Sequence, residues 1–541
     1  MGKSNHLLFL MLVLIIVNVG CSLGDNYSNN NPPNVLVIMV DDLNDNIGLL
    51  KGHPQSLTPH MDMLSASGVT FAKAYTNAPM CGPSRASMFT GVYPHYSNNY
   101  FQSPWYNFEV LKNTKTMMEQ FKEAGYNVMG SGKIMHHNQE NIWTSFENAA
   151  DYTPTPFDGE EQLPHPDVPP PFSDIGWVDG SLGPFINLEG RKSSHGKSLY
   201  WTTGNKKIGF KPMRYTNDDD RDPTPDEVNA AWAANKIREL SDSKTKQPFF
   251  LAVGFIRPHT PLVAPQKYFD MFPLEDIQLS VIKPSDDEDT HLTAAYKGDV
   301  FTLTMGKKMF GAISEAYGSV EEGLKKWTQA YLACVAAVDD NVGEVLNALN
   351  TSPLKENTIV VLASDHGFHM GEKDYLYKNS LWEESTRVPL IMRVPGITKG
   401  GEKVQLPVSL IDVYPTLLDL CGISTKTTKN GLGHNLDGYS LKELIVDPSK
   451  ENWKGPASAL TVVFAGNDYK DDPSMQHYSI RTERYRYILY NNGMEELYDH
   501  HNDPYEWNNL EVSHPKLLTQ LRDQLKAMVA PVQLNGLSKN I

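Results

Sequence analysis

Four apolar runs in this chain are each followed by ionisable side chains, and this pattern constrains the fold more than any other feature. A continuous run rich in β-branched residues is typical of a strand buried on both faces, as in a parallel sheet. The carboxyl ends of parallel strands meet at one edge, where open α/β sheets bind ligands. The sequence therefore predicts an α/β fold with a large, mostly parallel central sheet flanked by helices, and a site at that edge. The runs and the groups that follow them are residues 34–40 with Asp41 and Asp42, residues 126–130 with Lys133 and His136, residues 248–255 with His259, and residues 358–364 with Asp365 and His366.

Asp41 and Asp42 are the first pair in this pattern. Adjacent carboxylates after a buried strand repel each other, so they are poorly placed for stability but well placed for a hard cation. A solvated turn is the competing interpretation of this pair by itself. Because four predicted strands end in such groups, we favour a shared site.

The stretch from Cys81 to Gly91 reads Cys-Gly-Pro-Ser-Arg-Ala-Ser-Met-Phe-Thr-Gly. Pro83 suits the first turn of a helix, where its missing N–H is not needed. Residues 84–89 are therefore predicted to begin a helix, with Cys81 just outside it. A cysteine at a helix N-terminus beside a cation such as Arg85 is expected to have a lowered pKa. A small buried cysteine before an ordinary helix is the competing interpretation.

This stretch resembles the signature of the type I sulfatases, Cys-x-Pro-Ser-Arg-x-x-x-x-Thr-Gly. Other segments also resemble that family, and most closely its iduronate-2-sulfatase-like members within the alkaline-phosphatase-like superfamily. The resemblance implies the α/β fold of that superfamily, with a smaller C-terminal α+β subdomain that carries an antiparallel sheet. The further matching segments are Gly132-Lys133-x-x-His136, Pro258-His259-Thr260-Pro261, Asp365-His366-Gly367, and Lys378 upstream of residues 386–389.

The resemblance also implies a chemistry. A maturation enzyme would oxidise Cys81 to formylglycine, whose hydrated aldehyde is the nucleophile in sulfate ester hydrolysis. His136 is assigned to the proton of the hydrate and His259 to the leaving group. The implied metal is Ca²⁺, but imidazole is an atypical calcium ligand, so Mg²⁺ or another ion stays open. The implied residues are Cys81, Arg85, His136 and His259 for catalysis, Lys133, His259 and Lys378 (alternatively Lys373) for substrate binding, and Asp41, Asp42, residue 81, Asp365 and His366 for the metal.

Residues 1–21 are predicted to be an export signal. Lys3 supplies the positive start, and residues 7–17 form an apolar run that is too short to span a bilayer. Gly20-Cys21 indicates either a bacterial lipoprotein with a lipid on Cys21 or ordinary cleavage nearby. Residues 22–33 are predicted to be a tether. We therefore expect an exported protein that is periplasmic, an outer-membrane lipoprotein or secreted.

Residues 34–430 are predicted to form the catalytic domain, and residues 455–541 a C-terminal subdomain with an antiparallel meander. Residues 152–226 are predicted to form a functional loop or lid. Its cations and aromatic rings would suit a sulfated sugar chain, although a solvated insertion is the competing interpretation. The residues that carry this prediction are Trp177, Arg191, Lys192, His195, Lys197, Trp201, Lys206 and Lys207.

Net charge limits the classes of ligand that the protein can bind, and cysteine content limits the disulfides that it can form. The formal net charge of −16 argues against general nucleic-acid binding but not against an anionic substrate in a local basic pocket. Cys334 and Cys421 are expected to be buried free thiols, with a disulfide between them left open. Asp339 and Asp340 are expected to lie on an exposed helix face.

The predicted substrate is a sulfated oligosaccharide or polysaccharide. Marine algal polysaccharides such as ulvan, carrageenan or fucoidan are one source, and glycosaminoglycans are the other. Phosphonate or phosphodiester hydrolysis is the nearest rival activity, because the same scaffold and signature serve it. A non-catalytic carbohydrate-binding surface protein and a structural lipoprotein are the rivals from other classes.

Overall fold

A computed structural model describes residues 32–245, 247–292, 301–449 and 453–534. The predicted export signal, Cys21, most of the tether and the last seven residues of the C-terminal subdomain lie outside these ranges. Within the described ranges, no helix has both the length and the apolar character needed to cross a bilayer.

The centre of the molecule is an eight-stranded sheet. Of its eight strands, Leu390–Arg393 is the one that runs antiparallel to the others. This confirms the predicted large, mostly parallel sheet. From one edge to the other, the strands are Glu402–Val404, Val69–Phe71, Leu390–Arg393, Thr358–Ser364, Asn34–Val40, Phe249–Phe255, Asn127–Gly132 and Ser145–Phe146.

Both faces of this sheet are buried, as the continuous apolar runs predict. In the strand Asn34–Val40, Leu36 and Ile38 pack into the core on one face, whereas Val35 and Val37 pack into the core on the other. Helices cover both faces, so the domain has three layers. The α-helices are Pro59–Ala66, Cys81–Thr90, Pro94–Ser97, Glu109–Lys112, Met117–Glu123, Pro225–Asp242, Gln266–Asp270, Phe301–Tyr317, Val320–Asn350, Glu383–Thr386, Val413–Cys421, Lys442–Val446 and Pro515–Val529.

Residues 152–226 fold as a small β-rich unit with its own core rather than as an open loop. Trp201 belongs to that core, and the parallel pairing of Leu182–Pro184 with Leu262–Ala264 joins the unit to the segment after the strand Phe249–Phe255. Its strands are Thr155–Phe157, Leu182–Pro184, Tyr200–Asn205, Gly209–Met213, Tyr215–Asn217 and Asp220–Arg221, and the remaining short strands of the molecule are Ala74–Tyr75, Leu262–Ala264, Arg387–Val388 and Val408–Ser409.

The C-terminal subdomain is the predicted antiparallel meander with a final helix. The helix Pro515–Val529 packs Leu521 and Leu525 against the apolar side chains of the sheet. Arg486 joins this sheet to the catalytic domain, because its buried guanidinium pairs with Glu383 and with Glu506. The four strands are Ser458–Val463, His477–Thr482, Tyr485–Leu489 and Glu495–Asp499.

The model corrects the prediction that Asp339 lies on an exposed helix face. Asp339 is buried, and its carboxylate accepts hydrogen bonds from the backbone N–H groups of His60 and Met61 at the start of Pro59–Ala66. The carboxylate thus satisfies donors that a helix N-terminus leaves free. Cys334 and Cys421 are free thiols, so no disulfide joins them.

Candidate active site

Strand register brings the predicted site residues to one edge of the sheet. Val40 pairs with Phe255 on one side and with Ser364 on the other. The residues that follow these three strands therefore leave the sheet at one level. Asp41, Asp42 and Asp365 are fully buried there, although they come from segments far apart in the sequence.

The backbone of Asp42 is in the left-handed region, with a φ of 58°. Aspartate tolerates this conformation better than most residues. Two contacts hold it: the Asp42 N–H donates to Asp365 Oδ1 at 3.2 Å, and the Tyr331 hydroxyl donates to the Asp42 carbonyl at 2.7 Å. These contacts fix the turn that carries the second of the two adjacent carboxylates.

Cys81 begins the helix Cys81–Thr90 instead of preceding it, so the predicted helix start is corrected by three residues. Pro83 lies in the first turn, where no N–H is required. Arg85 follows one turn after Cys81, so both side chains lie on the same helix face. The helix therefore delivers the thiol and the guanidinium to the site together.

Arg85 is the centre of the buried charge network. Its Nη2 donates to Asp41 Oδ1 at 3.0 Å, its Nε donates to Asp365 Oδ2 at 2.8 Å, and its Nη1 donates to the carbonyls of Lys133 and Ile134. The planar guanidinium can satisfy all of these partners at once. Arg85 thus fixes the positions of two strand ends relative to the Cys81 helix.

Two lysines hold the two adjacent aspartates. Lys133 Nζ donates to Asp41, and Lys378 Nζ lies 2.8 Å from both carboxylate oxygens of Asp42. Burial alone would raise the pKa of Asp41, but Lys133 and Arg85 hold it well below its usual range. Burial raises the pKa of Asp42 to about 7, against the lowering effect of Lys378. The structure places Lys378 in the site, as predicted.

Lys373, the alternative to Lys378, lies outside this cluster. Its Nζ is 3.3 Å from Asp286 Oδ1 and donates to the carbonyl of Glu506. These contacts belong to the junction with the C-terminal subdomain.

The thiol of Cys81 lies between His366 and Lys378. Its Sγ is 3.2 Å from His366 Nε2 and 3.5 Å from Lys378 Nζ. Burial raises the pKa of Cys81, and the charges of Lys133 and Lys378 only partly offset this effect. The expected lowering of the thiol pKa is therefore wrong, because complete burial outweighs the helix N-terminus and the nearby cations.

Four side chains of the cluster fit a divalent cation by donor type and proximity. Asp41, Asp42, Cys81 and His366 each offer one donor atom, and these atoms lie within 4.8 Å of one another in a fully buried position. Two carboxylates with an imidazole suit Mg²⁺ or a transition metal as well as Ca²⁺. Asp365, also predicted as a ligand, borders this group, with Oδ2 3.8 Å from His366 Nε2.

His259 borders the cluster on the side that reaches solvent. Its Nε2 is 3.9 Å from Asp42 Oδ2, and its Nδ1 is 2.6 Å from the Thr260 carbonyl, which assigns the Nδ1 proton to that bond. The ring of Tyr152 packs edge-on against it with the centroids 4.9 Å apart. Burial and the charge of Lys378 lower the pKa of His259 well below its usual range.

His136 lies near Lys133, at the margin of the cluster. Burial and the charge of Lys133 lower the pKa of His136 to about 2. Its Nδ1 is 3.3 Å from Nδ1 of His137, a residue to which no role is assigned from the sequence. His136 makes no hydrogen bond to Cys81 within the described part of the chain, so its predicted role in moving the hydrate proton stays a prediction.

The structure corrects the predicted platform for a sugar chain in residues 152–226 at Trp201, and the platform otherwise stays a prediction. Trp201 is buried in the core of that unit, and Arg191, His195 and Lys197 each lie beside a carboxylate. Lys206 and Lys207 are exposed at the turn between the strands Tyr200–Asn205 and Gly209–Met213. The paired cations and their partners are Arg191 with Asp167, His195 with Glu161, and Lys197 with Glu160.

Several residues of the site were not predicted from the sequence. Tyr331 appears in the sequence only as part of the apolar face of a helix, yet it holds the turn at Asp42. Ser84 donates to the Asp365 carbonyl at 2.6 Å. Tyr152 and Asp179 lie in an insertion without periodicity, so no sequence signal distinguishes them from their neighbours.

The comparisons with known proteins agree with this geometry. The sulfatase family model matches residues 33–423, and the model for the C-terminal region of N-sulphoglucosamine sulphohydrolase matches residues 371–533. A sulfatase of Formosa agariphila is 34% identical over 506 residues, which cover 92% of this chain and 86% of that protein.

Solved structures show the same fold. The complex of BT4656 with its substrate D-glucosamine-2-N,6-O-disulfate has a TM-score of 0.65 and 20% identity, and the match covers 93% of this chain and 99% of that one. The phosphonate monoester hydrolase of Silicibacter pomeroyi has a TM-score of 0.66 and 20% identity, with 94% and 97% covered. The fold alone therefore does not separate these activities, but the family models and the Formosa relative do: the chain belongs to the sulfatase family and is a sulfuric ester hydrolase.

Proposed function

We propose that this protein hydrolyses sulfate monoesters of a sulfated oligosaccharide or polysaccharide, with a formylglycine formed from Cys81 as nucleophile and a divalent cation. The observation that carries the proposal is the position of Cys81 Sγ, within 3.5 Å of both His366 Nε2 and Lys378 Nζ in a buried cluster of carboxylates and cations. An anionic ester needs fixed positive groups, and a nucleophile placed among them meets the sulfur directly.

Lys133 and Lys378 act on the sulfate group in this proposal. Each ammonium contacts one aspartate of the pair, so each is held in place without losing all of its donors. Their remaining N–H groups bind the oxygens of the ester and stabilise the charge that develops on them. Arg85 cannot lose its proton, and it keeps Asp41 ionised while it pairs with Asp365 and balances the charge beside residue 81.

His259 donates the proton to the leaving alcohol in this proposal. The Thr260 carbonyl holds Nδ1, which leaves Nε2 directed at the cluster. The negative charge of a bound sulfate ester beside the ring would raise the low pKa of His259 and favour its protonated form. His136 accepts the second proton, which allows sulfate to leave from residue 81.

Two groups complete the chemistry. Formylglycine supplies two hydroxyls on one carbon, so that one attacks sulfur and the other permits release of sulfate without attack of water on sulfur. Asp41, Asp42, Asp365 and His366 would hold a divalent cation, which would supply charge that polarises the ester and favours the ionised nucleophile. We also propose that the protein is exported, because the maturation and the substrate class fit the N-terminal signal.

Phosphonate or phosphodiester hydrolysis is the competing activity, because a phosphonate monoester hydrolase shares the fold at a TM-score of 0.66. Both activities should be measured with one mature preparation in which the mass of the peptide across residue 81 is verified. The substrates are 4-nitrophenyl sulfate, phenyl phosphonate esters, and desalted oligosaccharides of ulvan, carrageenan, fucoidan, heparan sulfate and chondroitin sulfate. We expect sulfate release from one polysaccharide class and a kcat/KM at least tenfold lower for the phosphonates. A preference for the phosphonates would contradict the proposal.

A further inference from the structure

The cluster is closed by buried side chains except at its margin, where His259 and His136 lie. The side chain of His259 is 9% exposed and that of Lys378 is 3% exposed, whereas Asp41, Asp42, Arg85 and Lys133 are not exposed. The sulfate group of a substrate must enter where protein does not already fill the space. We place the leaving alcohol of a bound ester beside His259, which donates its proton in the proposed function.

Asp179 lies far from His259 in the sequence but is held next to it in the structure. The Thr260 hydroxyl donates to Asp179 Oδ1 at 2.7 Å, next to His259. The Leu262 N–H donates to the Ser181 carbonyl at 2.9 Å, and this bond begins the parallel pairing of the two segments. The two attachments fix the carboxylate of Asp179 at the edge of the leaving-group position.

Charged and aromatic groups around Asp179 agree with this location. Burial raises the pKa of Asp179, and the Thr260 hydrogen bond and the charge of Lys378 oppose that effect. Burial, together with the charge of Asp179, raises the pKa of Tyr377, whose ring centroid lies 5.8 Å from Lys378 Nζ. Tyr152 closes the other side of His259. Tyr152 and Asp179 therefore both lie against the His259–Thr260 segment, at the proposed leaving-group position.

We propose that Asp179 is a specificity-determining residue that selects sulfate esters of neutral or amino sugars and disfavours those of uronates. Thr260 satisfies Oδ1 of Asp179, and the carboxylate keeps acceptor sites for a sugar hydroxyl or ammonium group beside the ester oxygen. A uronate carboxylate in that position would meet a like charge in a poorly solvated pocket. This inference rests on the proposed function.

The test uses substrate pairs that differ only in this charge. Methyl glucoside and methyl glucuronide, each monosulfated at the same hydroxyl (O2, O3 or O4), are compared with glucosamine 6-sulfate and 4-nitrophenyl sulfate. We expect the wild-type protein to prefer the neutral member of a pair. Asp179→Asn should narrow that kcat/KM ratio by about tenfold, because a carboxamide no longer repels the uronate. Since each ratio is internal to one variant, a general loss of rate does not affect it.

Matched variants separate the effect of Asp179 from changes in stability. Asp174→Asn changes an exposed carboxylate of the same segment and should leave the ratio unchanged. Thr260→Val removes the hydrogen bond that holds Asp179 but leaves the charge of Asp179 in place. This variant should lower the kcat/KM for the neutral sugar, and it provides a second test if Asp179→Asn folds poorly.

Three outcomes would overturn the inference. They are a wild-type preference for the glucuronide, an unchanged ratio in Asp179→Asn, and turnover of 4-nitrophenyl sulfate without any turnover of a neutral- or amino-sugar sulfate. Failure of the mature wild-type protein on every sulfate ester, including 4-nitrophenyl sulfate, would instead reject the proposed function and this inference together.

Discussion

Lys378 Nζ lies 2.8 Å from each carboxylate oxygen of Asp42, and this contact joins residues 336 positions apart in the sequence. The same nitrogen is 3.5 Å from Cys81 Sγ. One ammonium group therefore connects the turn after the first strand to the predicted nucleophile. The contact also shows which lysine lies in the site: Lys378 does, and Lys373, the alternative that the sequence left open, does not.

Lys378→Ala should lower the activity of the protein, whereas Lys373→Ala should lower its thermal stability. Loss of Lys378 removes a charge that stabilises the transition state, so kcat/KM for 4-nitrophenyl sulfate should fall by about 10²–10³-fold. Loss of Lys373 leaves buried Asp286 with a weaker partner, so it should lower the melting temperature while kcat stays near that of the wild type. Steady-state kinetics and thermal unfolding of both variants check this. A similar loss of kcat in both would contradict the assignment.

Cys81→Ser should preserve the fold and abolish repeated turnover. The serine hydroxyl fills nearly the same buried space, but it cannot become an aldehyde that releases sulfate. We expect at most one sulfate group to be transferred per protein molecule. Sulfate release in quenched samples of a time course and the mass of the peptide across residue 81 measure this. Ser87→Ala in the same helix is the control and should retain activity. Wild-type rates in Cys81→Ser would eliminate formylglycine from the mechanism.

Chelation of divalent cations should remove activity and lower the melting temperature. In the proposed function the cation would bind the folded protein through ligands that include Asp41, Asp42 and His366, so at 100 times its Kd it should stabilise the fold by about 2.7 kcal/mol. Elemental analysis before and after EDTA, followed by addition of Ca²⁺ or Mg²⁺, identifies the ion. The Asp41→Asn/Asp42→Asn double variant should show no shift on chelation. A shift of equal size there would place the cation elsewhere.

Arg486→Met should destabilise the protein strongly. Arg486 is not exposed, and its loss leaves Glu383 and Glu506 buried with one fewer cation between them. Breaking such a pair costs about 3–5 kcal/mol. Arg484→Met is the matched control, because Arg484 is half-exposed and its ion pair with Asp499 should contribute little. Urea unfolding of both variants checks the difference, and equal midpoints would show that the junction does not depend on Arg486.

His95 should make the protein sensitive to acid. Burial lowers the pKa of His95 to about 3, and neither ring nitrogen has a hydrogen-bond partner within the described ranges. The unfolded chain binds a proton near pH 6.5. The neutral His95 ring therefore makes its full contribution to the free energy of unfolding above pH 6.5. This contribution falls as the pH decreases and is lost completely below about pH 3.

His95→Phe tests this contribution. Between pH 7 and pH 5, His95 should lower the free energy of unfolding of the wild type by about 2 kcal/mol. This decrease should be absent from the His95→Phe variant. His195→Phe changes an exposed histidine and serves as the control. Urea midpoints at the two pH values provide the measurement. An identical pH dependence in wild type and His95→Phe would contradict the expected burial of the neutral ring.

The strands and their polar ends could be predicted because both are local properties of the sequence. Continuous apolar runs specify strands buried on two faces, and the groups after Val40 and Ser364 must then emerge at one edge. The signature around Cys81 is equally local. The site residues that matched these patterns, including Asp41 and Asp365, therefore lie together in the structure.

Only the tertiary structure decided the properties that depend on surroundings. Complete burial raises the pKa of Cys81, which its helix position alone would lower. Asp339 is buried because another helix starts against it. Asp179 reaches His259 only through Thr260 and the pairing of two distant segments. Desolvation and long-range contacts of this kind are properties of the folded chain, so a linear pattern of residue types determined the sheet and the reactive groups but not their charge states or their neighbours.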